Sequence, residues 1–318
     1  MTLRCAVLDD YQAVAEGLAD WAALDDVQVR FLHDHLPDED ACAETLADAD
    51  ILVVMRERTP ITATLLARLP RLKLVVTSGL RNASIDLDAA RARGVVVCGT
   101  PSASEPPTEL TWALVLGLAR GLHVEVPSFA SGGPWQSTLG ADLHGAVLGV
   151  VGLGKIGSRV ARIGQAFGMD VVAWSPHLTD ERCAEVGVRR AADLPTLLAE
   201  SDFTTLHLVL AEATRGIIGR AELAAMKPSA FLVNTSRAGL VDTPALVEAL
   251  QDGRLAGAGL DVFDTEPLPL DDALRGLPNV LATPHLGYVT RRNYAGYFTG
   301  AVEDIAAWQA GSPVRLLT

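Results

Sequence analysis

The sequence predicts an α/β protein made of two doubly wound parallel-sheet domains in tandem. Three observations lead there. Short apolar runs alternate with Ala-, Leu- and charge-rich segments from the first residues onward. Such alternation marks a parallel sheet covered by helices on both faces. The chain has 318 residues, more than one core usually encloses. The alternation breaks once, near residue 100, at a proline-rich stretch, and then resumes.

In the first half the candidate strands are Arg4–Leu8, Val27–Leu32, Ile51–Val54, Leu72–Thr77 and Val95–Cys98. Between them lie the helical segments Ala13–Ala19, Asp38–Ala47, Thr62–Arg68 and Asp86–Arg93. The stretch Pro101 to Pro107 is expected to be a stiff loop before one long helix, Thr108 to about Val126. A breaker, Ser131-Gly132-Gly133-Pro134-Trp135, precedes the second series. That series opens with the strand Ala146–Val151 and continues through Val171–Trp174, Phe203–Leu208, Phe231–Asn234, Ala256–Leu260 and Val280–Thr283. The last segment, Thr290 to Ala310, repeats Tyr294, Tyr297, Phe298, Val302, Ile305 and Trp308 at spacings of three and four, which is a helix with one apolar face. No strand remains for it to follow, so it is expected to return to the first domain and make that domain discontinuous.

Composition excludes several classes. Hydrophobic residues are 49% and charged residues 20%, as in ordinary globular proteins, and the formal net charge is −13. Such a surface repels nucleic-acid phosphates and anionic membranes. The N-terminal apolar run turns acidic at Asp9-Asp10, too soon for a signal peptide, and no uncharged run reaches the length of a membrane span. Cys5, Cys42, Cys98 and Cys183 are widely spaced, with no C-x-x-C, so no metal site or disulfide framework is expected and a cytoplasmic location fits. The apolar helix from Leu110 to Val126 calls for burial against a second subunit, and a homodimer is expected.

The densest signal is Val150-Val151-Gly152-Leu153-Gly154-Lys155-Ile156-Gly157. An apolar strand runs into G-x-G-x-x-G, a helical segment follows at Ser158–Phe167, and a second strand comes next. That context turns a glycine triplet into a dinucleotide site. Gly152 permits the sharp turn, Gly154 lets backbone approach a pyrophosphate, and Gly157 lets helix pack on strand. The phosphate then meets a helix N-terminus.

Three later segments place polar groups just past strands: Asn234-Thr235-Ser236-Arg237, Asp261-Val262-Phe263-Asp264-Thr265-Glu266, and Thr283-Pro284-His285-Leu286-Gly287. Arg is suited to grip a carboxylate and an adjacent ketone through planar donors that stay charged. His can hold or take a proton near neutral pH. A carboxylate beside it would favour the imidazolium and fix the ring.

With these segments in order behind the glycine turn, the chain resembles the NAD-dependent D-2-hydroxyacid dehydrogenases, in a phosphoglycerate dehydrogenase-like short form. The likeness covers nearly the whole chain and is densest from Leu148 to Thr290. It implies a Rossmann NAD-binding domain over 105–290 and a discontinuous flavodoxin-like substrate domain over 1–104 and 291–318. It implies that Arg237, Glu266 and His285 form the catalytic set for interconverting a 2-oxo acid and a D-2-hydroxy acid. It marks Gly152, Gly154, Lys155, Ile156, Gly157, Ser175, His207, Thr235, Asp261 and Gly287 for the cofactor. It marks Ser78, Gly79 and Leu80 as backbone donors to the substrate carboxylate. Arg56, at the end of the third strand, is placed either to reach an anionic substrate tail or to form a solvated, salt-bridged turn in Arg56-Glu57-Arg58.

Two departures stand out. The position that should carry a ribose-binding acid is Ser175, in Trp174-Ser175-Pro176-His177. No Arg follows directly, and Arg182 is seven residues on. NAD is expected, with NADP open. The second departure is the Pro101–Pro107 stretch, where the family usually carries a Gly/Asn-rich loop. An alternative of another class is a non-enzymatic NAD(H)-sensing corepressor-like protein, against which the acidic surface weighs.

Overall fold

The structure, a computed structural model, describes residues 2–318. It divides into two compact units, one running to Ala103 and taking back Thr290–Thr318, the other Ser104–Val289.

The first unit alternates β1 (Leu3–Val7), α1 (Ala15–Leu18), β2 (Val27–Phe31), α2 (Glu39–Leu46), β3 (Ile51–Val54), α3 (Ala63–Arg68), β4 (Leu74–Thr77), α4 (Leu87–Ala92) and β5 (Val96–Gly99). All five strands are parallel, in the order β2-β1-β3-β4-β5. Every residue of β3 and β4 is buried. Continuous Ile/Leu/Val runs in the middle of the sheet follow from coverage on both faces. Helix starts are set locally. Asp38, Thr62 and Asp86 each accept a backbone N–H from the first turn of α2, α3 and α4, a cap worth about 1 kcal/mol.

The second unit contains α5 (Glu105–Ala119), α6 (Leu122–Ala130), β6 (Val147–Val151), α7 (Lys155–Ala166), β7 (Asp170–Trp174), α8 (Asp180–Val186), β8 (Arg189–Arg190), α9 (Leu194–Glu200), β9 (Phe203–Leu206), α10 (Arg220–Ala225), β10 (Phe231–Asn234), α11 (Thr243–Gln251), β11 (Gly257–Leu260), α12 (Ala273–Gly276) and β12 (Val280–Ala282). Its parallel sheet runs β12-β11-β10-β9-β6-β7-β8. Separate apolar clusters cover its two faces. One gathers Leu197, Ile218, Leu232, Leu246 and Leu260, the other Val115, Leu148, Val160, Phe203 and Val233. Chain order reverses between β9 and β6, and at such a switch point a doubly wound sheet opens a crevice beyond its strand ends.

The last helix, α13 (Arg291–Gln309), is capped by Thr290 and buries Tyr294, Tyr297, Phe298 and Ile305. It belongs to the first unit. The segment after it adds backbone to the β5 edge: Leu317 N–H donates to Val97 O at 2.8 Å and Gly99 N–H to Arg315 O at 3.0 Å.

The prolines depart from expectation. Helix α5 begins at Glu105, so Pro106 and Pro107 lie inside its first turn. The N–H groups of a first turn have no intrahelical acceptor, so prolines there cost nothing in hydrogen bonds. The expected single helix is also two. Gly121 adopts φ 61°, and α5 and α6 meet at 71°. Glycine enters the left-handed region without a Cβ penalty, which ends α5 and starts α6. No single helix among the described residues is long and apolar enough to cross a membrane. The short edge strand β8 carries two arginines and no apolar pattern, so periodicity does not reveal it.

Candidate active site

The glycine turn joins β6 to α7. Gly152 has φ 103°, and a Cβ there would come within 2.8 Å of the His207 backbone. At Gly157 a Cβ would lie 2.0 Å from the Gly152 carbonyl oxygen. These two glycines are therefore required by the fold of the turn itself. Gly154 differs: it is exposed, and nothing lies within 4 Å of where a Cβ would be. The protein leaves space there, as close approach of a pyrophosphate requires. Lys155 and Ile156 open α7 directly behind it, Lys155 exposed and Ile156 half-buried.

Beside the turn is a cavity of about 360 Å³ lined by residues that include Gly152, Gly154, Ser175, Arg182 and His207. Ser175 follows the end of β7, and His207 the end of β9. The Nε2 of His207 is enclosed and has no protein partner. Burial pushes its pKa down to about 4, so the ring is neutral at neutral pH. An orphaned ring nitrogen at the wall of this cavity, with the open glycine turn, fits a dinucleotide that supplies the missing hydrogen bond.

Strands β10, β11 and β12 are adjacent and parallel, so their carboxyl ends share one edge of the sheet. Arg237 follows β10 in a turn shaped by Asn234. The side chain of Asn234 accepts from Ser236 N–H at 3.0 Å and donates to Arg237 O at 2.9 Å. Arg237 is half-buried, and its Nη1 donates to Ser236 O at 2.7 Å. Thr235 shares a 2.7 Å hydroxyl contact with Thr111 of α5.

Past β11, Asp261 is fully buried. It accepts from Thr283 Oγ1 at 2.6 Å, Leu286 N–H at 2.7 Å and Gly287 N–H at 2.8 Å. Burial raises its pKa, and these donors oppose the rise. Asp261 thus anchors the loop that carries His285. A Cβ on Gly287 would stand 3.0 Å from Asp261 Oδ2, so that position takes only glycine without a shift.

Glu266 Oε1 accepts from Phe263 N–H at 2.9 Å, and Glu266 Oε2 lies 2.6 Å from His285 Nδ1. An ionised carboxylate only accepts, so Nδ1 carries the proton of this contact and Nε2 is left to exchange one. The His285 ring is held further by an edge contact with Tyr288 at 5.3 Å between centroids. Its backbone has φ 52°, a conformation non-glycine residues rarely adopt. Strain of this kind persists only where surrounding contacts over-determine it, and it clusters at functional sites.

In the first unit, Arg56 and the Ser78–Leu80 turn come together past β3 and β4. Arg56 has φ 53°. Its N–H donates to Ser78 Oγ at 2.9 Å and its Nη1 to Ser78 O at 3.2 Å. Of the three expected backbone donors, two are engaged. Ser78 N–H continues the sheet to Val54 O at 3.0 Å, and Gly79 N–H donates to Thr100 Oγ1 at 3.2 Å. Only the Leu80 N–H lacks an acceptor among the described residues. Parallel register does not stop at the last strand residue, which is why Ser78 is consumed.

Sequence reasoning missed the supports. Asn82 donates to the Arg56 carbonyl and to Thr77 Oγ1. Asn234 and Thr283 act similarly in the second unit. Asn just past a strand is an available signal, because its amide mimics a backbone turn. Nothing local marks Thr283.

Comparison with known proteins places this arrangement. The family model for the D-isomer specific 2-hydroxyacid dehydrogenase NAD-binding domain matches residues 112–287. The chain belongs to that family. It is similar to the D-3-phosphoglycerate dehydrogenase of Methanocaldococcus jannaschii, at 39% identity over 82% of this chain and 50% of that protein. It is also similar to the glyoxylate reductase of Aeropyrum pernix, at 40% identity over 79% of this chain and 77% of that one. The chain thus spans about half the length of the phosphoglycerate dehydrogenase it matches. Among solved structures, a phosphoglycerate oxidoreductase from Vibrio cholerae superposes with a TM-score of 0.93, at 39% identity over 98% of this chain and 100% of that one. These relatives are enzymes, and nothing among them favours the sensor alternative.

Proposed function

We propose that this chain interconverts a small 2-oxo acid and its D-2-hydroxy acid, with Arg237, Glu266 and His285 as the catalytic set. The observation that carries the assignment is the 2.6 Å His285–Glu266 contact on the sheet edge that also bears Arg237 and the glycine turn. NADH, when bound, would supply the hydride that reduces the ketone carbon. The protein's work is then to hold the substrate and to meet the charge that develops on the ketone oxygen. Arg237 presents planar donors to the carboxylate and that oxygen. His285 gives the oxygen a proton from Nε2, while Glu266 stabilises the imidazolium and fixes its tautomer. In oxidation neutral His285 takes the alcohol proton instead. Within the first unit, Arg56 and the Leu80 N–H are proposed to receive the acid groups of the substrate. Asp261, Thr235, His207 and Gly287 are proposed to serve the cofactor.

A panel of glyoxylate, hydroxypyruvate, pyruvate, branched and aromatic 2-oxo acids, assayed with NADH, tests this. At least one should turn over and yield the D-product. NADH binding without turnover of any member would refute the reaction.

We further propose a homodimer in the cytoplasm. Phe129 is 70% exposed, Trp135 81% and Leu139 101%, beside exposed Leu122 and Val126. Large exposed apolar side chains on α6 and on the arm that follows it suit a self-complementary interface. All four cysteines are free and buried, as suits a reducing compartment.

A further inference from the structure

The ribose end of the dinucleotide pocket contains no carboxylate. Among its lining residues are Gly152, Gly154, Ser175, His177, Thr179 and Arg182, and no Asp or Glu. The neighbouring acids are accounted for elsewhere. Asp180 pairs with Arg190 at 3.1 Å, and exposed Glu181 is not part of the lining. A pocket that selects against a 2′-phosphate does so mainly by placing a carboxylate against the ribose hydroxyls. That repulsion is missing here.

A cation is present instead, and it is anchored. Arg182 is half-buried on α8. Its Nε donates to Leu153 O in the glycine turn at 3.2 Å, and its Nη2 to Ser158 Oγ in α7 at 2.7 Å. These two contacts hold the guanidinium at the turn. Nη1 pairs with Glu185 at 2.8 Å, but Glu185 is 65% exposed. An exposed ion pair of this type contributes little, so a phosphate can displace it without a large cost. Three of the five guanidinium N–H groups, two on Nη1 and one on Nη2, then remain for the incoming anion.

We propose that Arg182 makes the pocket accept a 2′-phosphorylated adenosine, so that the enzyme uses NADP(H) as well as NAD(H). Ser175 and Thr179 supply hydroxyls to either ribose, and Arg182 supplies the charge only the phosphorylated form uses. The inference rests on the dehydrogenase reading above, but it concerns a different end of the cofactor.

The test compares adenosine 2′,5′-bisphosphate with AMP by isothermal titration calorimetry on the intact protein. The bisphosphate should bind at least as tightly as AMP. Arg182→Ala should weaken the bisphosphate relative to AMP by about tenfold or more, the loss expected of one charge-assisted contact. Arg182→Lys should restore part of the difference. Kinetics give a second readout: the NADPH-to-NADH ratio of kcat/KM should fall in Arg182→Ala, and again in Ser175→Asp, which puts back the repulsive carboxylate. If Arg182→Ala does not fold, the Ser175→Asp comparison still decides. Rejection of the bisphosphate by the unaltered protein would overturn the inference. So would an equal loss for both probes in Arg182→Ala, which would make Arg182 only a latch for the turn. Bisphosphate binding without turnover of any 2-oxo acid would support this pocket and refute the dehydrogenase reading. NADH turnover with the bisphosphate excluded would do the reverse.

Discussion

The proposed chemistry converges on one ring, that of His285. Its Nδ1 is committed to Glu266, its backbone is held at φ 52°, and Asp261 accepts from the two backbone N–H groups that follow it. Removing the exchangeable proton should therefore be costly while the loop stays in place. His285→Gln is expected to lower kcat by about a hundredfold or more, the scale of lost general acid–base catalysis. Wild-type-like turnover would refute the role. Glu266→Gln keeps an acceptor for Phe263 N–H but removes the charge beside the ring. One limb of the pH–rate profile should move, and an unmoved profile would break the pairing.

His207 makes a separate prediction. Its folded pKa of about 4 lies below the ordinary value of 6.5. Between these values the unfolded chain binds the extra proton, so stability rises with pH across that window and is lost as pH falls from 6.5 toward 4. Chemical denaturation at pH 7 and pH 5 should show a smaller loss in His207→Gln than in the unaltered protein. Equal losses would show that this ring does not report on folding.

At the scale of elements, the site is a consequence of strand order. Residues far apart in sequence, Arg237, Glu266 and His285, follow three neighbouring strands of one parallel sheet. The glycine turn, Ser175 and His207 follow β6, β7 and β9 of the same sheet. Parallel strands all end on one side, so every loop that follows a strand presents its side chains there. The tightest element is the glycine turn. Gly157→Ala would set a Cβ 2.0 Å from the Gly152 carbonyl oxygen, a backbone atom that cannot swing aside as a side chain can. We expect a loss of about 1–3 kcal/mol in stability, the range for overpacking, together with weakened NADH binding. Urea unfolding and cofactor titration measure the two. An unaltered protein on both counts would show that the turn relaxes freely.

At the scale of the whole molecule, the exposed apolar arm is the feature most in need of a partner. Trp135 and Phe129 meet edge to face at 6.1 Å yet remain largely open to solvent. Sedimentation of the unaltered protein at micromolar concentration should give twice the chain mass, and Trp135→Glu or Leu139→Glu should give the chain mass. A monomeric unaltered protein would overturn the dimer. These side chains are little buried, so the substitutions test association rather than folding.

What the sequence could and could not reach follows from the range of the forces involved. Strand and helix order is local: apolar runs such as Ile51–Val54 and caps such as Asp38 and Thr290 act within a few residues. The glycine turn was legible because its three glycines fall within six residues, although the backbone that excludes a side chain at Gly152 belongs to His207, far along the chain. The prolines at 106 and 107 were misread because proline signals both a loop and a first helical turn, and only packing decides between them.

The candidate site was legible as residue types past strands, but not as contacts. That Ser78 N–H is consumed by Val54, that Asn82 holds the Arg56 carbonyl, and that Arg182 reaches back to Leu153 each join segments more than twenty residues apart. The sequence by itself thus determined the layered α/β plan, the dinucleotide turn and the residue types available for catalysis. The tertiary structure alone decided which backbone donors stay open, where α5 begins and which charge lines the pocket beside the glycine turn. The reason is physical: a hydrogen bond or an ion pair depends on angstroms of separation in space, and distance along the chain carries no such information.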